Sequence, residues 1–549
     1  MQTSQVFKAS TLCAPSPDGT LVAALISSKL ILRSTSSWEV VRSITVNPDF
    51  ASRVQYLQWS PYDSPSEEEH ALSSTEDSLF DVLGAPHSPT YSPSMGRVLL
   101  ADENTVRVWD TRDPQWLATI ENACGGLCKI ANVEFGGSED EVIVFSENGL
   151  KVTVWSLVTG RNYEIKDPKF SKRAHTYRPR TGQCALLTRP AAHDVITIHD
   201  HPTYRIFKYF MSATTDAQGL KWSPCGRWLT VWDSAASGYK LVIYTADGHM
   251  FRVISSPAGG TGAGLGIKTV QWSPSASHLA IGDYANRVSV LDHTISTKVH
   301  IQLEHPDTLV PKRVAIFQEQ VSPTQQRNYV SLFSPSFVPS STPNPGDPNP
   351  KIGISTLAFS CTSQFLAVVS DLFPSTVWIF DIAQSRPRTV ALLIHTSPLK
   401  QIAWHPTIPD LLLLQCAQDD SVNANVVYLW SDAWDRPRIF PIPLDQRPGS
   451  KPTARWIRPN DSHGTPPTAT LLYSDATSYV IASIEVEPHD PRLTVFQAKA
   501  RADDERKLSL NTHEGKENMG TEVSPVGPGK TDDLTSGLVT DGMGVFAGY

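Results

Sequence analysis

The sequence predicts an all-β protein built from a four-stranded unit that repeats along most of the chain. Three tripeptides mark the turn that follows the first strand of a unit: Trp59-Ser60-Pro61, Trp222-Ser223-Pro224 and Trp272-Ser273-Pro274. Apolar strands that end in Trp-Asp or a related pair mark the close of a unit: Val108-Trp109-Asp110, Val154-Trp155-Ser156, Ile379-Phe380-Asp381 and Leu429-Trp430-Ser431. A period of about 45 residues with four short strands is typical of a WD40-type β-propeller.

The spacing of the unit ends supports this fold class. After Ser156, the next three units close in steps of 44, 45 and 47 residues, at Asp200, Thr245 and Asp292. Each unit buries an apolar layer against its neighbours, so the array must close into a ring. About nine units can be distinguished, the last a weak one that begins at Trp456. We therefore expect one large ring, with a seven- or eight-bladed ring plus an extra unit as the alternative.

The propeller is expected to span residues 1–498, interrupted by two loop insertions. Residues 62–96 contain no Lys or Arg and carry Glu67-Glu68-Glu69 among many Ser and Pro residues. Such a segment buries too little apolar surface to become ordered. Residues 318–350 form a second Pro- and Ser-rich insertion, and residues 499–549 are expected to be a disordered tail.

Composition narrows the class of protein. Of the 549 residues, 40% are apolar and 19% are charged, which is typical of a soluble globular protein. The net charge of −8 argues against a nucleic-acid-binding surface, although it leaves room for a local basic patch. The N-terminus does not resemble a signal peptide, and no apolar run is long enough to span a membrane. Seven cysteines are few and odd in number, which favours a reducing compartment, the cytosol or the nucleus.

Aspartates at strand ends are predicted to have a structural role. An Asp at this position ties the turn between the third and fourth strands through hydrogen bonds from the backbone. We expect this of Asp110, Asp292 and Asp381. The similar Val231-Trp232-Asp233 lies only nine residues after Pro224, so it is predicted to end a second strand instead.

No group of residues has the pattern of a catalytic, cofactor or metal site. Cys124 and Cys128 lack the second pair of ligands that a zinc site needs. His193, His199 and His201 are expected to cap a turn, because no acidic or Cys partner is suitably spaced. The glycine run 259–266 lacks the Lys-Ser/Thr of a phosphate loop and is followed by a strand. We expect no enzyme activity, cofactor or small-molecule substrate; a catalytic triad scattered along the sequence is the alternative.

The insertions and the tail contain candidate regulatory motifs. Accessible Ser-Pro pairs are minimal sites of proline-directed kinases, and a phosphate adds up to about two negative charges. The candidates are Ser88, Ser92, Ser334 and Ser524, and the alternative is that Ser-Pro is simply common in such loops. Lys516-Glu517-Asn518 matches the recognition box of cell-cycle ubiquitin ligases. The Ser-Pro pairs at Ser16, Ser60, Ser223 and Ser273 belong to the blade turns and are expected to be structural.

Three of the 14 tryptophans lie outside the repeat positions: Trp38, Trp116 and Trp434. They are candidates for exposed contacts, where aromatic side chains contribute most binding energy. Packing in the core is the alternative and the favoured interpretation.

The less repetitive stretches resemble one family. They are Val6-Phe7-Lys8, the run from Leu220 to Trp232, Leu265-Gly266-Ile267-Lys268 and Asn349-Pro350-Lys351-Ile352-Gly353-Ile354. From about residue 4 to residue 485 the chain is similar to the centrosomal and spindle-pole WD-repeat protein eight family, also called the WD-repeat protein antisense to the p73 gene, in a fungal-like form.

This resemblance implies a non-enzymatic scaffold at the centrosome or spindle pole body that holds microtubule minus ends. The partners it implies are a coiled-coil anchoring protein of the SSX-interacting type and a minus-end-directed kinesin. It transfers no catalytic or contact residue to this chain. The alternative is a scaffold in translation initiation or another RNA-linked assembly, where large propellers also occur.

Overall fold

The computed structural model describes the following residues: 1–61, 96–125, 128–257, 265–292, 301–303, 308–309, 314–324, 326–333, 336–341, 352–383, 387–417, 425–444, 451–458 and 468–485. All of them belong to one compact unit, Met1–Pro488. Nearly all of the insertion 62–96 and the whole tail 499–549 lie outside these residues. So do the candidate sites Ser88, Ser92, Ser334, Ser524 and Lys516-Glu517-Asn518.

The described strands form nine blade sheets. Two short strands precede the first blade: β1 (Gln2–Thr3) and β2 (Phe7–Lys8). Blades 1 to 3 contain β3 (Cys13–Pro15), β4 (Leu21–Ile26), β5 (Lys29–Ser34) and β6 (Val40–Thr45); β7 (Tyr56–Trp59), β8 (Arg97–Ala101), β9 (Val106–Asp110) and β10 (Leu117–Ile120); and β11 (Ile130–Phe135), β12 (Glu141–Ser146), β13 (Lys151–Ser156) and β14 (Asn162–Lys166).

Blades 4 to 6 follow the same plan. They contain β15 (His175–Tyr177), β16 (Cys184–Thr188), β17 (Val195–His199) and β18 (Ile206–Met211); β19 (Ala217–Trp222), β20 (Trp228–Asp233), β21 (Leu241–Thr245) and β22 (Met250–Ile254); and β23 (Ile267–Trp272), β24 (His278–Asp283), β25 (Val288–Asp292) and β26 (Ile301–Leu303).

The insertion and the last blades complete the array. The remaining strands are β27 (Thr308–Leu309), β28 (Ala315–Val321), β29 (Arg327–Ser331) and β30 (Ser336–Phe337) in the insertion; β31 (Ile354–Phe359), β32 (Phe365–Ser370), β33 (Phe373–Asp381) and β34 (Arg388–Ile394) in blade 7; β35 (Leu399–Trp404), β36 (Leu412–Cys416), β37 (Val426–Trp430) and β38 (Arg438–Pro441) in blade 8; and β39 (Thr453–Ile457), β40 (Thr468–Ser474) and β41 (Ser478–Glu485) in blade 9.

A single short α-helix lies in the described part of the chain. Helix α1 (Pro48–Arg53) joins blades 1 and 2, and the Asn47 side chain caps its N-terminus by accepting from the Asp49 and Phe50 N–H groups. The described residues contain no helix that combines the length and the apolarity needed to cross a bilayer.

The blades converge along their first strands. First strands of neighbouring blades contact one another, as β15 does β19 and β23 does β31, so these strands surround the central channel. At three junctions an indole Nε1–H donates to a carbonyl of the preceding blade's first strand at 2.8–3.0 Å; the donors are Trp59, Trp404 and Trp456. At these three junctions the tryptophan therefore joins one blade to the next and satisfies its own indole N–H.

Buried serines hold the turn after the first strand. The Oγ atoms of Ser16, Ser223, Ser273 and Ser360 each accept from the backbone N–H five residues later, at 2.9–3.0 Å. Ser60 makes the same bond across the insertion, to the N–H of Arg97 at 2.9 Å. This is the geometry of structural serines, and it explains why Ser recurs at this point of the repeat.

Aspartates close the other turns. Asp110 Oδ1 accepts from the Arg112 N–H at 2.8 Å, and Asp381 Oδ1 accepts from the Ala383 N–H at 3.2 Å. Asp292 ends β25, immediately before residues that are not described. Asp233 does end a second strand, as predicted, but it too is structural. Its buried carboxylate accepts from three backbone N–H groups, those of Thr215, Asp216 and Ser234.

The insertion at 318–350 is not simply a loop. Strands β28 and β29 form a hairpin, and β28 runs parallel to β34, so blade 7 gains two strands. The apolar side chains of Ile316, Phe317 and Tyr329 are buried there, which is why this part is ordered despite its polar surroundings. Residues 342–350, the most proline-rich part, lie outside the described residues.

A buried carboxylate fixes this hairpin to the ring. Glu319 accepts from Arg327 Nη1 and from the Tyr428 hydroxyl, both at 2.7 Å, and from the N–H and hydroxyl of Thr396, both at 2.9 Å. Burial alone raises the pKa of Glu319, but these hydrogen bonds outweigh it and hold the pKa below its usual value. Because Tyr428 belongs to blade 8, the carboxylate connects the insertion to two blades.

The N-terminal strands close the ring. Both β1 and β2 pair antiparallel with β41, through Gln2 opposite Ser483 and Phe7 opposite Tyr479. The Phe7 ring lies 5.2 Å from the Tyr479 ring, with the Arg33 guanidinium of blade 1 3.8 Å above it. The weak ninth unit is therefore a full blade built from both parts of the chain, and the prediction of one nine-bladed ring is confirmed.

Replacing Phe7 with alanine tests this closure. Phe7 is 6% exposed, so its loss is expected to cost about 3 kcal/mol of unfolding free energy, measured from the denaturant midpoint. Val6→Ala is the matched control, since Val6 is 50% exposed and should change stability by less than about 0.5 kcal/mol. Equal effects of the two variants would contradict a closing role for Phe7.

His405 is expected to make the ring acid-sensitive. It replaces the turn serine in blade 8, where its Nδ1 accepts from the Ile408 N–H at 2.9 Å, and burial lowers its pKa from 6.5 to about 4. The unfolded chain therefore takes up a proton that the folded ring excludes, and stability is lost as the pH falls from about 6.5 towards 4. His405→Ser should keep the turn and abolish about 2 kcal/mol of the stability loss between about pH 7 and about pH 5.

Denaturant unfolding at both pH values measures this change. Buried His395, whose pKa burial also lowers to about 4, stays in both proteins and accounts for the acid sensitivity that remains. An unchanged pH dependence in His405→Ser would show that His405 does not contribute.

Candidate protein-interaction surface

The outer strands of blades 4 and 5 carry an unusual concentration of exposed apolar side chains. Of the sixteen large apolar side chains exposed among the described residues, seven lie on β18 and β22. Their exposed fractions run from 41% to 60%. We call this set the rim patch; it consists of Ile206, Phe207, Tyr209, Met211, Met250, Phe251 and Val253.

Two β-bulges contribute to this exposure. The register between β17 and β18 shifts after Ile198, which leaves Phe207 without a partner residue, and the shift between β21 and β22 does the same to Phe251. A bulge bends an edge strand and changes the direction of the side chain of the extra residue. As β18 and β22 each pair on one side only, the bulges present two aromatic rings at free sheet edges.

Packed aromatic rings, one buried and two partly buried, lie beneath the rim patch. The Phe210 ring lies 5.0 Å from the ring of Tyr244, whose partner residue across the ladder is Met250, so blades 4 and 5 meet directly beneath the patch. Phe251 lies 4.5 Å from Trp228 of its own blade. The exposed side chains therefore lie over packed aromatic rings. Little conformational entropy has to be lost when a partner covers them.

The neighbouring blade shows what an ordinary outer strand looks like here. In β14, the exposed residues are Asn162, Glu164 and Lys166, and the Glu164 carboxylate pairs with Lys151 Nζ at 2.5 Å. Soluble monomers rarely expose large apolar patches without a function. The rim patch is thus a candidate site for another protein and has no features of a catalytic centre.

Sequence reasoning missed this surface and nominated other aromatics. Trp434 is buried in the core between blades 8 and 9, and Trp38 and Trp116 are half-buried, with the Arg97 guanidinium 4.3 Å above the Trp116 ring. Core packing, the favoured alternative, accounts for them. The available signal was Ile206–Met211, where five of six residues are apolar in a strand that should face solvent.

The cysteine and histidine groups noted in the sequence have structural partners. Both ring nitrogens of buried His199 are engaged at 2.9 Å, with the Tyr204 carbonyl and the Thr197 hydroxyl. His201 Nε2 lies 3.1 Å from Glu141, and burial raises the pKa of that carboxyl despite a hydrogen bond from the Tyr204 hydroxyl. Among the described residues, no three potential ligand side chains come together as a metal site.

Comparison with known proteins finds relatives that also contain WD repeats. WRAP73, a WD repeat-containing protein of Mus musculus, is 29% identical over 455 residues, covering 79% of this chain and 87% of the mouse protein. The chain is thus similar to a WD-repeat protein along most of its length. An uncharacterized WD repeat-containing protein of Schizosaccharomyces pombe is 22% identical over 508 residues, covering 88% of this chain and 92% of that protein. The predicted resemblance is therefore confirmed along most of the WD-repeat ring.

Family models and solved structures provide two further comparisons. No family model matches this WD-repeat protein. Among solved structures, the crystal structure of a eukaryotic initiation factor matches with a TM-score of 0.47 and 13% identity, covering 80% of this chain and 90% of that one.

Proposed function

We propose that this WD-repeat protein is a non-enzymatic adaptor at the spindle pole body or centrosome. In this role it anchors microtubule minus ends and supports spindle organisation through two protein partners. These are a coiled-coil anchoring protein of the SSX-interacting type and a minus-end-directed kinesin. The similarity to WRAP73, together with the stretches that resemble the spindle-pole family, supports this assignment.

The rim patch is the observation that carries an adaptor function. It combines two phenylalanines, a tyrosine and two methionines, the residue types enriched at the centres of protein interfaces. Most of the binding energy of an interface comes from a few such anchors. A rigid ring that presents them on adjacent blades is suited to hold a partner in a fixed place.

The arrangement of the patch suits a helical partner. Two rows of apolar side chains stand on neighbouring outer strands, whose blades meet through Phe210 and Tyr244. A helix covers such a surface with the apolar residues of one face, spaced three and four apart. The outer face of a coiled coil can supply that helix, which is why we assign the rim patch to the coiled-coil partner.

Charge favours attachment to microtubules through partners. The chain carries a net charge of −8, and the microtubule lattice is also acidic. Like charges disfavour a direct encounter between them. The kinesin and the coiled-coil protein would then provide the contact with the filament.

Two paired variants test the rim patch. Phe207→Ser with Tyr209→Ser removes two exposed aromatic rings, and each anchor contributes about 2 kcal/mol or more. Loss of one such anchor corresponds to a roughly 30-fold weaker affinity. We therefore expect the double variant to weaken capture of the coiled-coil partner in affinity purification by at least that factor. The melting temperature should be almost unchanged, because both side chains are more than half exposed.

Val40→Ser with Val41→Ser is the matched control. These two valines lie on the outer strand of blade 1 and are similarly exposed, with a bulge at the equivalent position. Capture should survive in this control. If both pairs, or neither, reduced capture, the rim patch would not be the coiled-coil site.

Localisation tests the cellular assignment independently. A fluorescently tagged chain, followed through the cell cycle, should form foci at the spindle poles. The same chain should remain absent from ribosomal fractions on sedimentation. A diffuse signal throughout mitosis, or co-sedimentation with ribosomal subunits, would support the RNA-linked alternative instead.

A further inference from the structure

A cavity of about 520 Å³ lies beside the channel, between the first strands of blades 4, 5 and 6. Strands β15, β19 and β23 and the loops next to them line it. Its volume falls within the range of about 300–1,000 Å³ that is usual for ligand-binding pockets. It lies on inner strands and is therefore distinct from the rim patch.

The lining of this cavity is strongly basic. It includes Lys172, Arg173, Lys221 and Lys268, and none of the residues that line it is a carboxylate. The chain as a whole carries a net charge of −8, so the positive charge of this cavity is opposite in sign to that of the whole molecule. Such a cavity concentrates positive potential between walls of low dielectric constant.

The four cations differ in how far they are already neutralised. Lys268 forms an ion pair with Asp371 and donates to the Ile352 carbonyl at 2.6 Å, so it is satisfied within the fold. Lys221 Nζ donates to the Val270 carbonyl and to Gln271 Oε1, both at 2.8 Å. These partners are neutral, and no carboxylate of the described residues pairs with Lys221.

Two exposed cations stand at the entrance. Lys172 and Arg173 are both exposed, and neither forms an ion pair with any of the described residues. The carboxylate of Glu134 interacts electrostatically with Lys172. Burial raises the pKa of Glu134, but its hydrogen bond with His175 and the nearby positive charges outweigh burial, so the pKa is lowered overall. Glu134 therefore offsets part of the charge of Lys172, whereas Arg173 has no ion pair among the described residues.

A buried histidine in the lining has an unused nitrogen. The side chain of His175 is only 7% exposed, and its Nε2 lies 3.5 Å from Glu134. Its Nδ1 is buried and has no hydrogen-bond partner among the described residues. Buried polar atoms are nearly always paired in native proteins. His175 therefore adds a buried polar side chain to the cavity wall, beside the basic groups.

Aromatic side chains form the apolar part of the cavity wall. A Cβ atom at Gly219 would lie 2.5 Å from Trp232 Cζ2, so only glycine lets this indole lie flat against β19. Trp232 and Tyr284 add aromatic surface to the lining. Basic groups beside aromatic walls suit a ligand with both carboxylates and an apolar part.

We propose that this cavity binds an acidic peptide segment of a partner protein. Its carboxylates would meet Lys172 and Arg173 at the entrance and Lys221 inside. The inference goes beyond the proposed spindle-pole role and does not require it. A peptide fits better than a nucleic acid, because the four cations surround one cavity of about 520 Å³ and do not form the extended basic surface that a phosphate backbone follows.

A binding assay with the full chain tests this proposal. The probe is a fluorescein-labelled peptide of eight glutamates, followed by fluorescence polarisation, with the corresponding peptide of eight glutamines as its control. Lys172→Glu with Arg173→Glu reverses the two exposed entrance charges. We expect roughly tenfold or greater weakening of glutamate-peptide binding, and little binding of the glutamine peptide by any variant.

Arg161→Glu with Lys166→Glu is the matched control. Arg161 precedes β14, the outer strand of blade 3, and Lys166 ends it; both are exposed and neither lines the cavity, so the same charge change is made outside the site. Binding should be retained in this control. Equal weakening in both pairs would show that net charge alone attracts the peptide, and would overturn the proposal.

Two further measurements distinguish a peptide site inside the cavity from a general anion site. Lys221→Met keeps the length of the side chain inside the cavity and should weaken the glutamate peptide several-fold, with an unchanged melting temperature confirming the fold. Inorganic phosphate and a single-stranded oligouridine serve as competitors. No binding of the glutamate peptide to the native chain, or tighter binding of the oligouridine at the same entrance cations, would overturn the assignment to an acidic peptide.

Discussion

The pairing of β1 and β2 with β41 is the constraint on which the rest of the ring depends. A blade buries its apolar faces only against its two neighbours, so an open array would leave two apolar faces uncovered. Across the seam, the Ser4 N–H donates to the Ile481 carbonyl at 2.9 Å, and the Ile481 N–H donates to Ser4 Oγ at 3.1 Å. Phe7 packs between Tyr479 and Arg33. The ends of the propeller are thus joined by strand pairing as well as by packing.

Polar groups buried between and within the blades give the repeat its uniformity. The turn serines and Asp233 use one side chain each to satisfy backbone N–H groups that burial would otherwise leave unpaired. Glu319 needs more partners, because its buried charge accepts four hydrogen bonds, one of them from the guanidinium of Arg327. These bonds hold the hairpin that widens blade 7.

The sequence predicted the ring well and its surfaces poorly, for a physical reason. Residues that every repeat needs for the same structural task, such as the turn serine, recur at a fixed spacing. They are therefore visible in the sequence without a structure. Asp233 was assigned to the right strand, but its three acceptor bonds depend on loop geometry that spacing does not reveal. The hairpin at β28 and β29 was missed because its order depends on Tyr428, about 100 residues away. The basic cavity escaped notice because Lys172, Lys221 and Lys268 are separated by nearly one repeat each and meet only at the channel.

Building the ninth blade from both ends of the chain also affects how the protein is made. Ribosomes release the N-terminus first, yet β1 and β2 have no partner until β41 has been synthesised. At about 5–20 residues per second, that interval lasts roughly 25–95 s. During it, the finished blades present an unsealed face and two short unpaired strands, both targets for wrong association. Production of this ring therefore places a late demand on chaperones, greatest in the seconds before the last strand emerges.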